Sequence, residues 1–370
     1  MFAWVSLLLC GLLLRPADAA ETEHPAQRII DRAGIAVRTD PEASRRDVES
    51  ALELLQRQPD ADLEIRARLI LCDYQSERDT AAAEQQIASI VNLLPQARRQ
   101  GLRAGMLDCQ GQIAETSGNN VRARDLFEQA VIISADADDD EMLAGALFSR
   151  GYLLGLQGHY AAGLADLKRA QGIYERIKLP HHALTALNGI AILYNRMGDY
   201  AQARHMYSQA LKAQREAGLL REQGVTLHNL GRAHENLLEW EPARKAFAES
   251  LEISRELKYP RAEAYALRGL AAVENGTGNP KGALETLERA ARLQHETPDA
   301  RLDAQIQLAR GIALRQLKQR PESVAALEEA LQVFRQAASL SELQATYAEL
   351  AGVYAEIYME IGRASCRERV

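Results

Sequence analysis

Small and bulky apolar residues recur along this chain with a period of forty residues. One column is small in seven of eight places: Leu71, Gly111, Gly151, Ala191, Gly231, Ala271, Gly311 and Ala351. A bulky column stands sixteen positions later: Ile87, Phe127, Leu167, Tyr207, Phe247, Leu287 and Leu327. Further columns lie three and four residues away from these two, which places each set on one face of a helix. The pattern predicts two helices in every forty residues.

Four glycines share the small column, although a glycine inside a helix costs about 0.5–1 kcal/mol relative to alanine. The simplest explanation for these glycines is steric, because a second helix that crosses there leaves room only for a hydrogen atom or a methyl group. Gly118, Gly158, Gly198 and Gly278 follow seven residues after the column and are predicted to end the first helix of each pair. Pro180 and Pro260 are predicted to begin the next pair.

These motifs resemble the tetratricopeptide repeat family. The strongest match is the run LNGIAILY at 187–194, followed by Gly198, Tyr200, Ala203, Tyr207 and Ala210. The next repeat matches from Leu227 through Trp240 to Phe247. The resemblance implies an all-α fold, a right-handed superhelical solenoid of stacked antiparallel helix pairs, with the first helix of each pair on the concave wall.

The predicted organisation has four parts. A signal peptide occupies residues 1–19, with an apolar run at 5–14 and a small-residue cleavage site at Ala17–Ala19. Capping helices occupy 20–63 and include an amphipathic helix at 41–58. The repeats occupy 64–359, as about seven helix pairs and a last unpaired helix near 343–357. Residues 360–370 form a tail outside the pattern.

The tail has Arg363, Arg367 and Val370 where the repeat requires small, bulky and small residues. It resembles a translated sequencing adapter, and a natural polar tail is the alternative. We therefore expect the native protein to continue past Met359. The apolar run at 5–14 is too short to span a membrane, and no second hydrophobic span follows it. A lipoprotein signal around Cys10 is disfavoured because Leu9 is not small.

Composition narrows the possible functions. The net charge of −7 argues against a general nucleic-acid binder, which needs a basic face. No phosphate loop, metalloprotease motif, Cys-x-x-Cys or nucleophile elbow is present, so we expect no enzyme activity, cofactor or metal within this chain. Asp136, Asp138 and Asp140 alternate as in a calcium loop, but Glu141 stands where that loop needs glycine, so an acidic helix start is favoured.

Two cysteines, Cys72 and Cys109, lie on the first helices of successive repeats. In an oxidising compartment they can form a disulfide. Burial as two small apolar side chains is the alternative that the sequence favours.

Polar residues of the first helices that are not needed for packing are free to bind a partner. Asparagine and arginine on such a wall can hydrogen-bond the amides of an extended peptide and pair with its carboxylates. The predicted protein-binding residues are Asn188, Asn195, Arg196, His228, Arg232, Glu235, Asn236, Arg268 and Asn275, with Arg315 and Gln316 further along.

The resemblance implies an exported protein-interaction module whose partner is a protein or peptide segment in the concave groove. Its leader and long repeats resemble the periplasmic sensor region of membrane-anchored bacterial signalling proteins, whose output domain is a GGDEF diguanylate cyclase or a histidine kinase. On this interpretation the chain is a fragment. A complete, free periplasmic scaffold that assembles other proteins is the alternative, and an enzyme would need a pocket of convergent titratable groups.

Overall fold

A computed structural model describes residues 24–76, 78–294, 299–336 and 340–368. The predicted signal peptide at 1–19 lies outside these residues. Across the described ranges the chain forms α-helices and one short 3₁₀-helix, Leu94–Gln96, and no β-strand.

The helices form antiparallel pairs joined by short connections. The first pairs are α1 (Pro25–Thr39) with α2 (Pro41–Arg57), α3 (Ala61–Ser76) with α4 (Thr80–Leu93), α5 (Leu102–Thr116) with α6 (Asn120–Asp136), and α7 (Asp140–Leu156) with α8 (Tyr160–Arg176). The later pairs are α9 (Pro180–Met197) with α10 (Tyr200–Glu216), α11 (Leu220–Asn236) with α12 (Trp240–Glu256), α13 (Pro260–Gly276) with α14 (Pro280–Gln294), and α15 (Ala300–Gln316) with α16 (Arg320–Gln336). The last described helix is α17 (Leu340–Glu368).

Most connections share one geometry, in which a residue with positive φ follows the helix end. Gly198 has a φ of 82°, and its amide donates to the Asn195 carbonyl while the amide of Asp199 donates to the Tyr194 carbonyl. These bonds satisfy carbonyls that the end of α9 would otherwise leave unpaired. The same left-handed turn recurs every twenty residues, so it also ends second helices, where the sequence offered no glycine signal at Asp138, Lys178 or Lys258.

The two columns of the forty-residue pattern meet inside each helix pair. A Cβ atom on Gly231 would lie 2.7 Å from Cε1 of Phe247, and one on Gly151 would lie 2.9 Å from the Gly163 carbonyl oxygen. Both distances are shorter than real Cβ contacts, so the helices cross closely because these residues lack side chains. The small column is buried from Leu71 to Gly311, and the bulky column is buried throughout, as predicted.

The stacking of the pairs produces a curved solenoid. Each first helix from α3 onward contacts the next first helix, whereas successive second helices scarcely touch. The first helices therefore lie on the inner wall, where the radius is shorter, and the second helices lie outside. The contact between first helices is least between α9 and α11, so the inner wall is most open at that position.

The two ends of the described chain differ from the interior pairs. The helix predicted at 41–58 is α2, and it packs against α1, which the sequence pattern did not resolve as a separate helix. At the other end, α17 continues past its predicted end to Glu368, because residues 360–368 contain mostly good helix formers. Ala351, in the small column, is exposed because no second helix covers α17 within the described residues.

The close crossing predicts opposite effects for two glycines in neighbouring helices. Gly151→Ala should lower the free energy of unfolding by about 1–3 kcal/mol, because the new methyl group meets the α8 backbone. Gly172→Ala, at an exposed position in the C-terminal half of α8 with no neighbour within 4 Å, should raise it by about 0.5–1 kcal/mol. Urea unfolding followed by circular dichroism measures both. Stabilisation by both substitutions would contradict the packing argument.

Candidate protein-binding site

The open part of the inner wall contains a cavity of about 360 Å³. Its walls are formed by α9, α11 and α13 with the first turns of α15, and its floor is formed by Tyr207 of α10 together with residues of α12. We call it the α9–α13 cavity. The lining residues are Ile192, Asn195, Arg196, Tyr207, Arg221, Gly224, Val225, His228, Asn229, Arg232, Ser250, Ile253, Ser254, Leu257, Tyr259, Arg261, Ala262, Tyr265, Arg301 and Gln305.

Four of the nine predicted binding residues line this cavity: Asn195, Arg196, His228 and Arg232. Two of them have buried polar atoms with no hydrogen-bond partner among the described residues, namely Oδ1 of Asn195 and Nδ1 of His228. Buried polar atoms in folded proteins are nearly always paired, so orphaned atoms that border a cavity mark a place for a ligand or water. The structure therefore brings part of the predicted set together in one polar, partly enclosed site.

The other five predicted residues lie outside the cavity lining. Asn275 is buried, and its Nδ2 donates to the Ala309 carbonyl at 2.9 Å, which joins α13 to α15. Arg268 pairs with Glu235 at 3.3 Å, and Asn236 donates to the Arg232 carbonyl at 3.0 Å. Asn188 has a buried Oδ1 with no partner among the described residues. Most of this group therefore serves contacts within and between helices, which the sequence pattern alone could not distinguish from free side chains.

Arg315 and Gln316, which were predicted further along the wall, also form hydrogen bonds within the structure. Arg315 donates to Glu349 at 2.8 Å and to Glu356 at 3.0 Å, so it ties α15 to α17. Gln316 donates to the Asn275 carbonyl at 3.1 Å. Both side chains connect neighbouring first helices in this structure.

The sequence pattern overlooked three arginines of the cavity. Arg221, Arg261 and Arg301 stand forty residues apart in the first turns of α11, α13 and α15. Their common spacing was the signal that could have found them. Two aromatic residues, Tyr259 and Tyr265, were overlooked as well, and the Arg221 guanidinium lies 5.2 Å from the centre of the Tyr259 ring.

His228 is held between two aromatic rings. Its ring centre lies 5.6 Å from those of Phe247 and Tyr265. Burial, with the nearby charges of Arg232 and Arg268, lowers the pKa of His228 to about 3. The imidazole is therefore neutral at physiological pH.

Arg232 is partly buried beside His228. Burial lowers its pKa, and the charge of Arg268 lowers that pKa further. No acceptor lies within hydrogen-bond distance of the Arg232 guanidinium in the part of the chain that the structure describes. The charges of Glu235 and Glu342 act in the opposite direction, although neither carboxylate forms a salt bridge with Arg232.

Cys72 and Cys109 are both buried, and their sulfur atoms are bonded to each other. Their Cα atoms lie 6.2 Å apart, a separation that a disulfide spans. The pair joins α3 to α5, the first helices of successive repeats. The structure thus has the pairing that the sequence ranked second to two free, buried thiols.

The acidic run before α7 caps and anchors that helix. Asp139 accepts from the Met142 amide at 3.2 Å and from Arg99 at 2.6 Å, and Glu141 accepts from Arg99 at 2.9 Å. The described residues contain no group of three or more histidine, cysteine or acidic side chains that could hold a metal ion. None of the described helices combines the length and the apolar character that are needed to cross a membrane.

The fold and the repeat columns define an α-solenoid of helix pairs. The family model described as "Tetratricopeptide repeat" matches residues 142–216, 182–256 and 262–336, which together make up just over half of the chain. The chain belongs to the tetratricopeptide repeat family.

Solved structures with the same fold share little sequence with this chain. The apo form of the quorum sensor NprR from B. thuringiensis is 16% identical, with a TM-score of 0.65, and the match covers 90% of this chain and 94% of that one. NprR in complex with its cognate peptide NprX is 14% identical, with a TM-score of 0.55 over 91% and 99%. A Rap protein complexed with competence and sporulation factor is 13% identical, with a TM-score of 0.60 over 90% and 99%. These likenesses show the fold.

The lowered pKa of His228 predicts a loss of stability in acid. From about pH 6 to pH 4 the unfolded chain takes up a proton on this histidine that the folded chain does not, so folding weakens as the pH falls. The contribution is up to about 1.4 kcal/mol per pH unit. In urea unfolding across this range, His228→Gln should lose that part of the pH dependence.

The control is His205→Gln, on the exposed face of α10. It should retain the pH dependence of the original chain. Identical slopes for the His228 variant and the original chain would show that His228 is protonated in the folded state.

Proposed function

We propose that this chain binds an extended peptide segment of a partner protein, with the α9–α13 cavity as the principal contact. The observation that supports this most directly is the cavity itself, which is bordered by the unpaired Oδ1 of Asn195 and Nδ1 of His228. Binding a ligand there would complete hydrogen bonds that the folded chain leaves open.

The lining favours a peptide over a nucleic acid. Asn195, Asn229 and Gln305 each offer an amide that can both donate to and accept from a peptide backbone. Ile192, Ile253 and Leu257 offer apolar surface for a side chain. The whole chain carries a net charge of −7, which opposes the close approach of a phosphate backbone.

The comparisons support the same proposal at the level of the fold. NprR, which covers nearly the whole of this chain, is described with its cognate peptide NprX and as a quorum sensor. By analogy with that quorum sensor, we infer that this chain senses a peptide. Its leader-like N-terminus and long repeats lead us to propose further that it is the sensing module of a membrane-anchored signalling protein. The apolar run at 5–14 and the small residues at Ala17–Ala19 support export to the periplasm, where the chain would bind its peptide segment.

Filling the cavity should prevent binding without altering any charge. Val225 is 47% exposed at the cavity, and Val225→Trp would place an indole in the space that the peptide needs. Heptapeptides selected by display against the original chain should bind the Val225→Trp variant at least tenfold more weakly in isothermal titration calorimetry.

The matched control is Val121→Trp. Val121 is 65% exposed on the second helix α6, away from the inner wall, so this variant should bind the selected peptides with unchanged affinity. Melting curves of all three proteins report folding. Equal affinities for the two tryptophan variants, or failure of any heptapeptide to be selected, would overturn the proposed function.

Export and the cysteine pair can be tested together. In a Gram-negative host the full chain should be recovered from the periplasmic fraction with its N-terminus near Ala20. Digestion without reductant should release a cross-linked peptide that contains Cys72 and Cys109. A variant without residues 2–19 should stay in the cytoplasm. Recovery of the uncleaved full chain from the cytoplasm would contradict export.

A further inference from the structure

The last described helix, α17, has an uncovered face. In an interior pair such as α11 with α12, Leu227 and the small residue Gly231 of the first helix are both buried beneath the second helix. The equivalent residues of α17 are Tyr347 and Ala351, and both are exposed in the part of the chain that the structure describes. The face that interior pairs bury is therefore open on α17.

The open face is uncharged and rich in aromatic residues. Its exposed residues follow one another at alternating steps of four and three positions: Tyr347, Ala351, Tyr354, Tyr358 and Ile361. Ala348 and Ala355 are exposed beside them. Alternating steps of four and three give the spacing at which two helices pack along a shared seam. The face is therefore suited to contact with another helix.

The glutamates of α17 do not place a free charge on this face. Each of the four between residues 342 and 361 pairs with an arginine of the preceding helix pair. Glu342 pairs with Arg301, Glu349 and Glu356 pair with Arg315, and Glu360 pairs with Arg320 at 2.8 Å. A helix that covers the face would therefore not have to remove an unpaired charge from water, which is the costly step in burying a polar surface.

Hydrogen bonds to α16 hold two of the tyrosines in place. The Tyr354 hydroxyl donates to Oε1 of Glu328 at 3.2 Å, and the Tyr347 hydroxyl accepts from the Arg335 guanidinium at 2.8 Å. A side chain that is already fixed loses less conformational freedom when a partner covers it. The two rings therefore form a preorganised part of the face.

The spacing of the face is complementary to a second copy of itself. In an antiparallel contact with a two-fold axis at Tyr354, residues that lie equally far before and after Tyr354 face each other. Tyr347 then lies opposite Ile361 of the second copy, and Ala351 lies nearly opposite Tyr358. A small residue meets a large one on both sides of the axis, so the two surfaces can interdigitate. A two-fold contact requires such a self-complementary surface.

The area of the face is sufficient for a reversible dimer. Tyr347, Tyr354 and Tyr358 are 47%, 49% and 79% exposed. At about 200 Å² per tyrosine, they leave about 350 Å² open on each copy. Met359 and Ile361, which are 51% and 63% exposed, enlarge this area. A contact between two copies would bury about 1,000 Å² in total, which is near the lower limit for a specific interface.

We propose that this chain forms a two-fold symmetric homodimer through the exposed face of α17, with the two helices antiparallel and Tyr354 at the axis. None of the residues that line the α9–α13 cavity belongs to α17. The assignment therefore goes beyond the proposed function and does not depend on it, and the two can be tested separately.

Sedimentation of the full chain tests the dimer. The mass should rise from that of one chain toward twice that value as the concentration increases, with a Kd roughly in the micromolar range. Ala351→Arg should weaken dimerisation at least tenfold, because the symmetry places an arginine against Tyr358 on both sides of the axis. Since Ala351 is exposed, the melting temperature of this variant should be unchanged.

The matched control is Ala88→Arg, the same substitution at an exposed position of the second helix α4. It should dimerise as the original chain does. Tyr358→Ala, which removes a large exposed side chain of the face, should weaken dimerisation by a smaller factor than Ala351→Arg. Equal dissociation constants for the two arginine variants, or a monomeric mass up to millimolar concentration, would overturn the proposal.

Cross-linking tests the orientation of the two helices. Cys10→Ser and Cys366→Ser together leave only the buried cysteine pair. In that background, Tyr354→Cys should form an intermolecular disulfide under mild oxidation, because the residue lies at the axis. Tyr347→Cys should not, because its two copies would lie about 20 Å apart along the helices. Cross-linking through residue 347 but not 354, or equally through both, would contradict the antiparallel contact.

Discussion

The rest of the molecule depends on the close crossing of two helices at a glycine or an alanine. Gly151 and Gly231 allow α7 and α11 to approach their partners within a distance that a methyl group would block. The bulky residue opposite, such as Phe247, then fills the space beside the crossing and is completely buried. Because a glycine or an alanine stands at this contact every forty residues from Gly111 to Gly311, the helix pairs have similar shapes and stack into a solenoid.

The same constraint explains where binding is possible. The packing columns occupy fixed positions of each repeat, and the remaining positions of the first helices are free to differ between repeats. The first helices α9 and α11 contact each other least. The side chains between them therefore line a cavity instead of packing tightly together. The curvature brings residues of four successive first helices, from Asn195 to Gln305, into one site.

The sequence was sufficient for the fold because packing is periodic and therefore visible in one chain. The sequence was insufficient for the site because the salt-bridge partner of each charged side chain depends on which residues of neighbouring helices face each other. Arg268 and Arg232 were equivalent in the sequence pattern, yet Arg268 forms a salt bridge with Glu235 whereas Arg232 forms none among the described residues. The sequence predicted that Asn275 would be free to bind a partner, yet its side-chain amide donates a hydrogen bond to the Ala309 carbonyl of the next helix pair. The arginine column at 221, 261 and 301 was visible, but its position in the cavity required the stacking geometry.

The position of the cavity also links ligand binding to the relative position of the helix pairs. Arg232 lies on α11, Tyr207 on α10 of the preceding pair, and the paired Arg261 and Arg301 on the two following first helices. A ligand in the cavity would contact both the α9–α10 pair and the α11–α12 pair, in the part of the inner wall where the first helices touch least. A ligand that binds only one arrangement of the pairs stabilises that arrangement by its own binding free energy. Because the lining residues come from several helix pairs, occupation of the cavity depends on how those pairs are stacked.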